Sequence, residues 1–198
     1  MRAFARVALL AAALWLGADR IAAQEPGPLE RAWRDGAVLT GRLSFDGKGT
    51  LGAFTGVTTS LQGEMQGAER LAGVRGWVEA PVATLVTGND RRDRDLAKSM
   101  ETATYPTMRF DLDGVRPDSA RGDTVFAGFR GRFTIHGVER PAEFPATLVA
   151  QGVTVRATAT TPLNLKDYRI GGLSKFLGVF RMDERIIVHI DVTFQARQ

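Results

Sequence analysis

The chain has 198 residues, 44% of them hydrophobic, a formal net charge of +4 and no cysteine. The missing cysteine excludes disulfides, Cys-ligated zinc, thiol catalysis and acylation of an N-terminal cysteine. The charges are scattered along polar faces instead of forming a stripe with aromatics between them, which argues against a nucleic-acid partner.

Residues 1–23 have the organisation of a cleavable export signal. Arg2 and Arg6 supply a basic start, Val7 to Ala18 form an uncharged, mostly apolar run, and Ile21-Ala22-Ala23 precedes the expected cut. The run is shorter than the roughly 20 residues of a membrane-spanning helix, so no span is expected after cleavage. Export implies a periplasmic or secreted location. The signal holds three Arg and one Asp, so the remainder carries 23 basic and 21 acidic residues, an excess of +2. Residues 24–37 read as a tether, and 38–196 as one domain with a full core.

From there the pattern is dominated by period-2 alternation, the mark of strands buried on one face. Val38 to Asp46 places Leu39, Gly41, Leu43 and Phe45 inward. After the Asp46-Gly47-Lys48-Gly49 turn, Val57 to Met65 repeats the pattern with Val57, Thr59, Leu61 and Met65 inward. Val74 to Val86 predicts a third strand with Val74, Gly76, Val78, Ala80, Val82 and Val86 inside and Trp77 and Leu85 outside. Pro81 marks a bulge or edge in it.

Asn89 to Glu101 breaks the alternation. Asn89 or Asp90 can cap a helix there, and Leu96 and Met100 share a stripe. Tyr105-Pro106 ends this short surface helix. Alternation resumes at Met108, Phe110 and Leu112, and continues through Val125, Ala127, Phe129, Gly131, Phe133 and Ile135. After the turn at Gly137 to Pro141, a return strand carries Phe144, Ala146, Leu148 and Ala150. Val153 to Leu165 then holds one phase, and Glu184 to Gln195 points Ile186, Val188, Ile190, Val192 and Phe194 inward. About eight antiparallel strands with short connections predict an all-β fold whose edges close into a barrel; a two-sheet sandwich has the same periodicity.

Gly131-Arg132-Phe133-Thr134-Ile135-His136-Gly137-Val138-Glu139-Arg140-Pro141 resembles the strand and turn of the YceI-like family. Thr87-Gly88, Arg92-Asp93, Leu96 and Tyr105-Pro106-Thr107-Met108-Arg109-Phe110 are similar to a second family segment. Phe54-Thr55-Gly56 and Leu165 to Ile170 fit its outlying motifs, in the same order. The resemblance implies an eight-stranded antiparallel lipocalin-like barrel with one short surface helix. It further implies a periplasmic binder of amphiphiles such as polyisoprenoids, fatty acids or fatty amides, and a homodimer. One departure is Asp95, which stands where the family usually has His.

The residues themselves favour a container. An eight-stranded barrel is either filled by side chains or hollow enough for one small ligand, and Gly41, Gly63, Gly76, Ala80, Ala127, Gly131, Ala157 and Ala159 fall in phase with larger apolar neighbours. The competing reading is that the glycines are bends needed for closure. The expected lining is Leu43, Phe45, Leu61, Val78, Ala80, Phe110, Ala127, Phe129, Phe133, Ala157, Val188 and Ile190. Arg92 and Arg94, in a cluster interleaved with Asp90, Asp93 and Asp95, are the candidates for a polar head group.

Catalysis is not expected. By phase both histidines, His136 and His189, point to the polar face, as do Asp111 and Asp113, and Gly171-Gly172 lacks the strand and helix of a phosphate loop. His189 and Asp191 share a face, but zinc would want a third ligand. No metal or cofactor is implied beyond a bound lipid-like molecule. The second functional reading is a filled barrel serving as a structural or protein-interaction module of the cell envelope, with Trp77 and Leu85 turned to a partner.

Overall fold

The computed structural model describes residues 35–50, 52–67, 70–171 and 182–196. The export signal, most of the tether and Gly172 lie outside the described residues. Strands are β1 (Gly36–Gly49), β2 (Gly52–Thr58), β3 (Gln62–Gln66), β4 (Arg75–Pro81), β5 (Thr107–Arg121), β6 (Thr124–Ile135), β7 (Val138–Gln151), β8 (Thr154–Asn164) and β9 (Arg185–Ala196). One α-helix among the described residues, α1 (Asp90–Ser99), lies between β4 and β5.

Every pairing is antiparallel, and β1 pairs with β9 to close the sheet on itself. Strands β2 and β3 share the other edge of β1, with Leu43 opposite Thr58 and Gly36 opposite Met65. They are one strand interrupted at residues 59–61, so the ring is the expected eight-stranded barrel. Closure leaves each main strand with two neighbours and removes the free edges an open sheet would expose.

Local chemistry explains the joints. The β6–β7 loop has two residues, His136 and Gly137, with φ of 52° and 67°. This is the doubly left-handed turn whose twist matches the flanking strands. Gly137 is required there twice over, because a Cβ would also fall 2.5 Å from the Tyr105 ring. In α1 the Asn89 side chain accepts from the Arg92 amide at 3.0 Å. Asp90 and Asp93 in the first turn and Lys98 in the last complement the helix dipole.

Four expectations about phase are corrected. First, Pro81 is followed by a 3-10 turn over Val82–Thr84 that advances the chain by one residue, so Leu85 is buried and Val86, at 55% exposure, is outside. Second, β2 buries Gly56 and Thr58 whereas β3 buries Gly63 and Met65, so Val57 and Met65 do not share a face. The interruption between them, where Ser60 N donates to Thr58 Oγ1, faces a bulge in β1 between Val38 and Thr40, and both strands change phase together. Third, Val153 occupies the β7–β8 turn and is exposed. Fourth, His136 is buried, because its left-handed backbone takes it out of the alternation of β6.

The two ends of the barrel are built differently. At the end holding the start of β1 and β4, the 3-10 turn Leu71–Gly73 plugs the interior with Leu71 and the wholly buried Val74. At the other end lie α1 and the turn Leu165–Tyr168. There Phe45, Leu85, Ile186 and Val188 form a second cluster against half-buried Leu96, Met108, Leu163, Leu165 and Met182.

Candidate functional site

The barrel axis holds an apolar cavity of about 150 Å³. Inward strand positions supply its wall, so its lining follows the alternation: Leu43 and Phe45 from β1, Val78 and Ala80 from β4, Phe110 from β5, Phe129 and Phe133 from β6, Ala157 from β8, and Val188 and Ile190 from β9. Leu61, in the interruption between β2 and β3, joins them. Ala127 does not line the cavity; it is buried in the packed core. Leu43, Val78, Phe110 and Ile190 point inward from mid-strand yet are only half-buried, as is Leu61. A filled barrel would cover such positions completely, and their residual surface is the wall of the hollow.

The glycines do not make this space. A Cβ on Gly63, Gly76 or Gly131 would sit 2.3, 2.7 or 2.1 Å from the carbonyl oxygen of Trp77, Glu64 or Asp111, and on Gly41 it would sit 2.4 Å from Leu61 Cδ1. They permit close approach of their neighbours and add no room to the interior. The ring of Phe110 covers Gly131, 2.7 Å from the position of that absent Cβ. Ala157 and Ala159 lie in the wall beside the larger Val192 and Ile190, and their short side chains leave room there.

Sequence reasoning missed much of the α1-end lining. Leu85, Leu96, Met100, Met108, Leu163, Leu165, Tyr168, Ile170 and Met182 all contribute to it. One signal was available: of five methionines, Met65, Met100, Met108 and Met182 line the cavity, and the fifth is Met1. An unbranched thioether adapts to irregular space, so this wall yields more readily than a branched one.

The proposed head-group residues sit beside the cavity and do not line it. Arg92 donates from Nε to Thr87 Oγ1 at 2.9 Å and from its terminal nitrogen to the Thr87 carbonyl at 3.2 Å. Its guanidinium stacks 4.5 Å over the Phe54 ring, and Phe54 meets the cavity-lining Phe45 edge-on. Arg94 is exposed on α1. Asp93 is committed to Thr87, accepting from its amide at 2.8 Å and from its hydroxyl.

Polar groups elsewhere pair off structurally. His189 Nε2 lies 2.9 Å from Asp46 Oδ2 and its Nδ1 lies 3.1 Å from Thr160 Oγ1, so it does not join Asp191. Thr55 and then His189, by hydrogen bonding, hold the Asp46 carboxyl below its ordinary range. Asp191 is likewise lowered by its hydrogen bond to Arg156, whose Nε donates at 2.8 Å. Asp111 is taken by Arg109 and Asp113 by Arg132. Among the described residues no three His, Asp or Glu gather to hold a metal ion.

The reading with Trp77 and Leu85 presented to a partner is corrected. Leu85 is 6% exposed and belongs to the cavity wall, and Trp77 is covered by the Arg109 guanidinium 4.4 Å above its ring. No helix among the described residues is long and apolar enough to cross a membrane.

The model of the YceI-like domain matches residues 39–194. UPF0312 proteins of Pseudomonas putida are 33% identical over 103 residues, 48% of this chain and 52% of theirs. The chain thus spans about half the length of these curated relatives. Among solved structures, Burkholderia cenocepacia BcnA superposes with a TM-score of 0.66 at 16% identity, covering 77% of this chain and 95% of that one. A polyisoprenoid binding domain from Saccharophagus degradans gives 0.70 at 15% identity, covering 83% and 99%. At these identities the likeness concerns the fold.

Proposed function

Because the chain belongs to the YceI-like family, we propose that its barrel is a non-enzymatic container for the apolar chain of an amphiphile, such as a polyisoprenoid, fatty acid or fatty amide. One observation carries the reading: the interior of the barrel is hollow and walled by hydrocarbon, with inward side chains left half-bare at its middle. An apolar wall of this kind draws in hydrocarbon at about 25 cal/mol per Å² removed from water, with no directional contact needed. The Saccharophagus degradans neighbour, described as polyisoprenoid-binding, supports the same class of ligand.

Size narrows the picture. A dry cavity near 150 Å³ accommodates a benzene-sized group, so a long chain enters by displacing the methionines and Leu96 at the α1 end. With its tail in the barrel, the ligand's polar head lies outside the hydrocarbon wall, and Arg92 on Phe54 is the cation we assign to it, with Arg94 as a secondary contact. In this reading residues 1–23 direct export, and the protein sequesters or carries its ligand outside the cytoplasm.

Mass spectrometry of natively purified protein tests the proposal. A co-purifying amphiphile is expected for the unaltered chain. Ala159→Trp, which inserts an indole at mid-barrel, is expected to abolish it while leaving the circular dichroism of the barrel intact. Ligand-free protein from lipid-rich extracts, with the uncharged fluorophore N-phenyl-1-naphthylamine also failing to bind, would defeat the reading.

A further inference from the structure

His136 is 8% exposed, and its Nε2 is a buried nitrogen with no hydrogen-bond partner. Its Nδ1 lies 3.1 Å from the carbonyl oxygen of Tyr168. A carbonyl only accepts, so Nδ1 carries the proton of the neutral ring and Nε2 is left as a bare lone pair. Facing that lone pair, at 3.5 Å, is Glu101 Oε1. Two acceptors confront one another across a short gap, and the Tyr105 ring packs edge-on against the imidazole with centroids 4.5 Å apart.

The backbone marks the same place. Among the described residues three that are not glycine have positive φ: Glu101 at 44°, His136 at 52° and Arg169 at 56°. Glu101 faces the His136 ring, and Arg169 directly follows the carbonyl that His136 contacts. Left-handed backbone outside glycine is costly and persists where the surroundings enforce it, commonly at clamps and switches. Here three such positions converge on one buried imidazole.

The elements joined there also wall the cavity. Ile135 precedes His136 at the end of β6, Met100 precedes Glu101 after α1, and Tyr168 and Ile170 bracket Arg169; all four line the hollow. We propose that His136 is a proton-operated clasp governing exchange of the cavity's occupant, an inference that rests on the container reading. A proton on Nε2 converts it from acceptor to donor and creates a charge-assisted hydrogen bond to Glu101, tying the segment after α1 to the β6–β7 turn and to the turn Leu165–Tyr168. Acidification therefore closes the clasp, and loss of the proton releases it.

The segments that meet the ring carry other charged and titratable groups. Tyr105 lies on the segment that carries Glu101. The turn of residues 165–169 contributes Lys166, paired with Glu184, together with Asp167, Tyr168 and Arg169. From β7 come Glu139, paired with Arg132, and Arg140, whose Nε donates to the Asp167 carbonyl at 3.1 Å. Burial foremost, and then Asp167, push the Tyr168 phenol upward, so it stays neutral through the relevant range. Glu101 is the carboxylate placed within ion-pair distance of the imidazole among the described residues.

The test follows release of N-phenyl-1-naphthylamine, which carries no charge that changes between pH 5.5 and 8, by stopped-flow fluorescence. Release from the unaltered protein is expected to slow roughly tenfold from pH 8 to pH 5.5, in keeping with one added charge-assisted hydrogen bond. In Glu101→Gln, and in His136→Asn, whose asparagine tolerates the left-handed backbone, the rate is expected to be flat with pH. A flat rate in the unaltered protein, or an unchanged slope in Glu101→Gln, overturns the clasp. Glu101 is exposed, so that variant folds even if His136→Asn does not. If the fluorophore binds at neither pH, the container reading fails, and the clasp is judged on amide exchange at residues 100–105 and 165–170. Protection there, corrected for intrinsic rates, must rise toward pH 5.5 in the unaltered chain and not in Glu101→Gln; equal behaviour overturns it.

Discussion

The plugged end of the barrel and the end beneath α1 are made from the same residue types and do opposite things with them. At the plugged end Leu71, Val74 and Leu148 are between 0% and 5% exposed and leave no free wall. At the α1 end Leu96, Met108, Leu163, Leu165 and Met182 are only partly covered. One end supplies cooperative stability through dense packing, while the other keeps surface in reserve for something that is not part of the chain. The contrast lies in the partners available: a 3-10 turn wedges its side chains into the first end, whereas a ten-residue helix lies over the second.

Leu148→Ala offers the largest effect with which to break this comparison. Its side chain is wholly buried, so its loss is expected to cost about 3 kcal/mol in urea unfolding through transfer and cavity terms together. A loss below about 1 kcal/mol would mean that the plugged end is as loose as the other. Asn89→Ala comes next. Removing the cap of α1 is expected to cost about 1 kcal/mol of helix stability. It should appear as faster amide exchange over residues 90–99 with little movement of the global transition, and a full shift of that transition would show that α1 belongs to the cooperative core.

The smallest effect concerns the outer wall. The Asp191 carboxyl is lowered by its hydrogen bond to Arg156, so the stabilisation it contributes is complete above the unfolded carboxylate value of about 3.9 and is lost as pH falls through the lower folded value. Asp191→Asn is therefore expected to lower the thermal midpoint slightly at pH 7 and to converge with the unaltered protein in strong acid. A gap that widened on acidification would reverse the sign. Because both partners are substantially exposed, salt is expected to shrink the gap at neutral pH.

Alternation made the strands legible because each buries one face and its period is a local property of the backbone. The inward sets of β6, β7 and β9 follow it without a break, and the cap at Asn89 was legible from its residue type. It failed wherever one residue is gained or lost: at the bulge near Thr40, at Ser60, after Pro81 and at His136. Pro81 announced its irregularity, but whether a proline produces an edge, a bulge or a 3-10 turn depends on what lies across from it. Leu85 therefore moved from a presumed outer patch to the cavity wall. Ala127 shows the complementary error, since an inward small residue opens space only where its neighbours do not fill it.

What the sequence alone determined was a run of half-buried antiparallel strands with a short capped helix, and the positions of most inward side chains, because hydrophobic period and turn chemistry act within a few residues. Only the tertiary structure decided that the interior is hollow, that the glycines bring strands together without making room, and that His136 lies buried against Glu101. A cavity is what remains after all eight strands have contributed their volumes, and a buried pair needs two segments 35 positions apart in the chain. Neither quantity is carried by any stretch of sequence taken by itself.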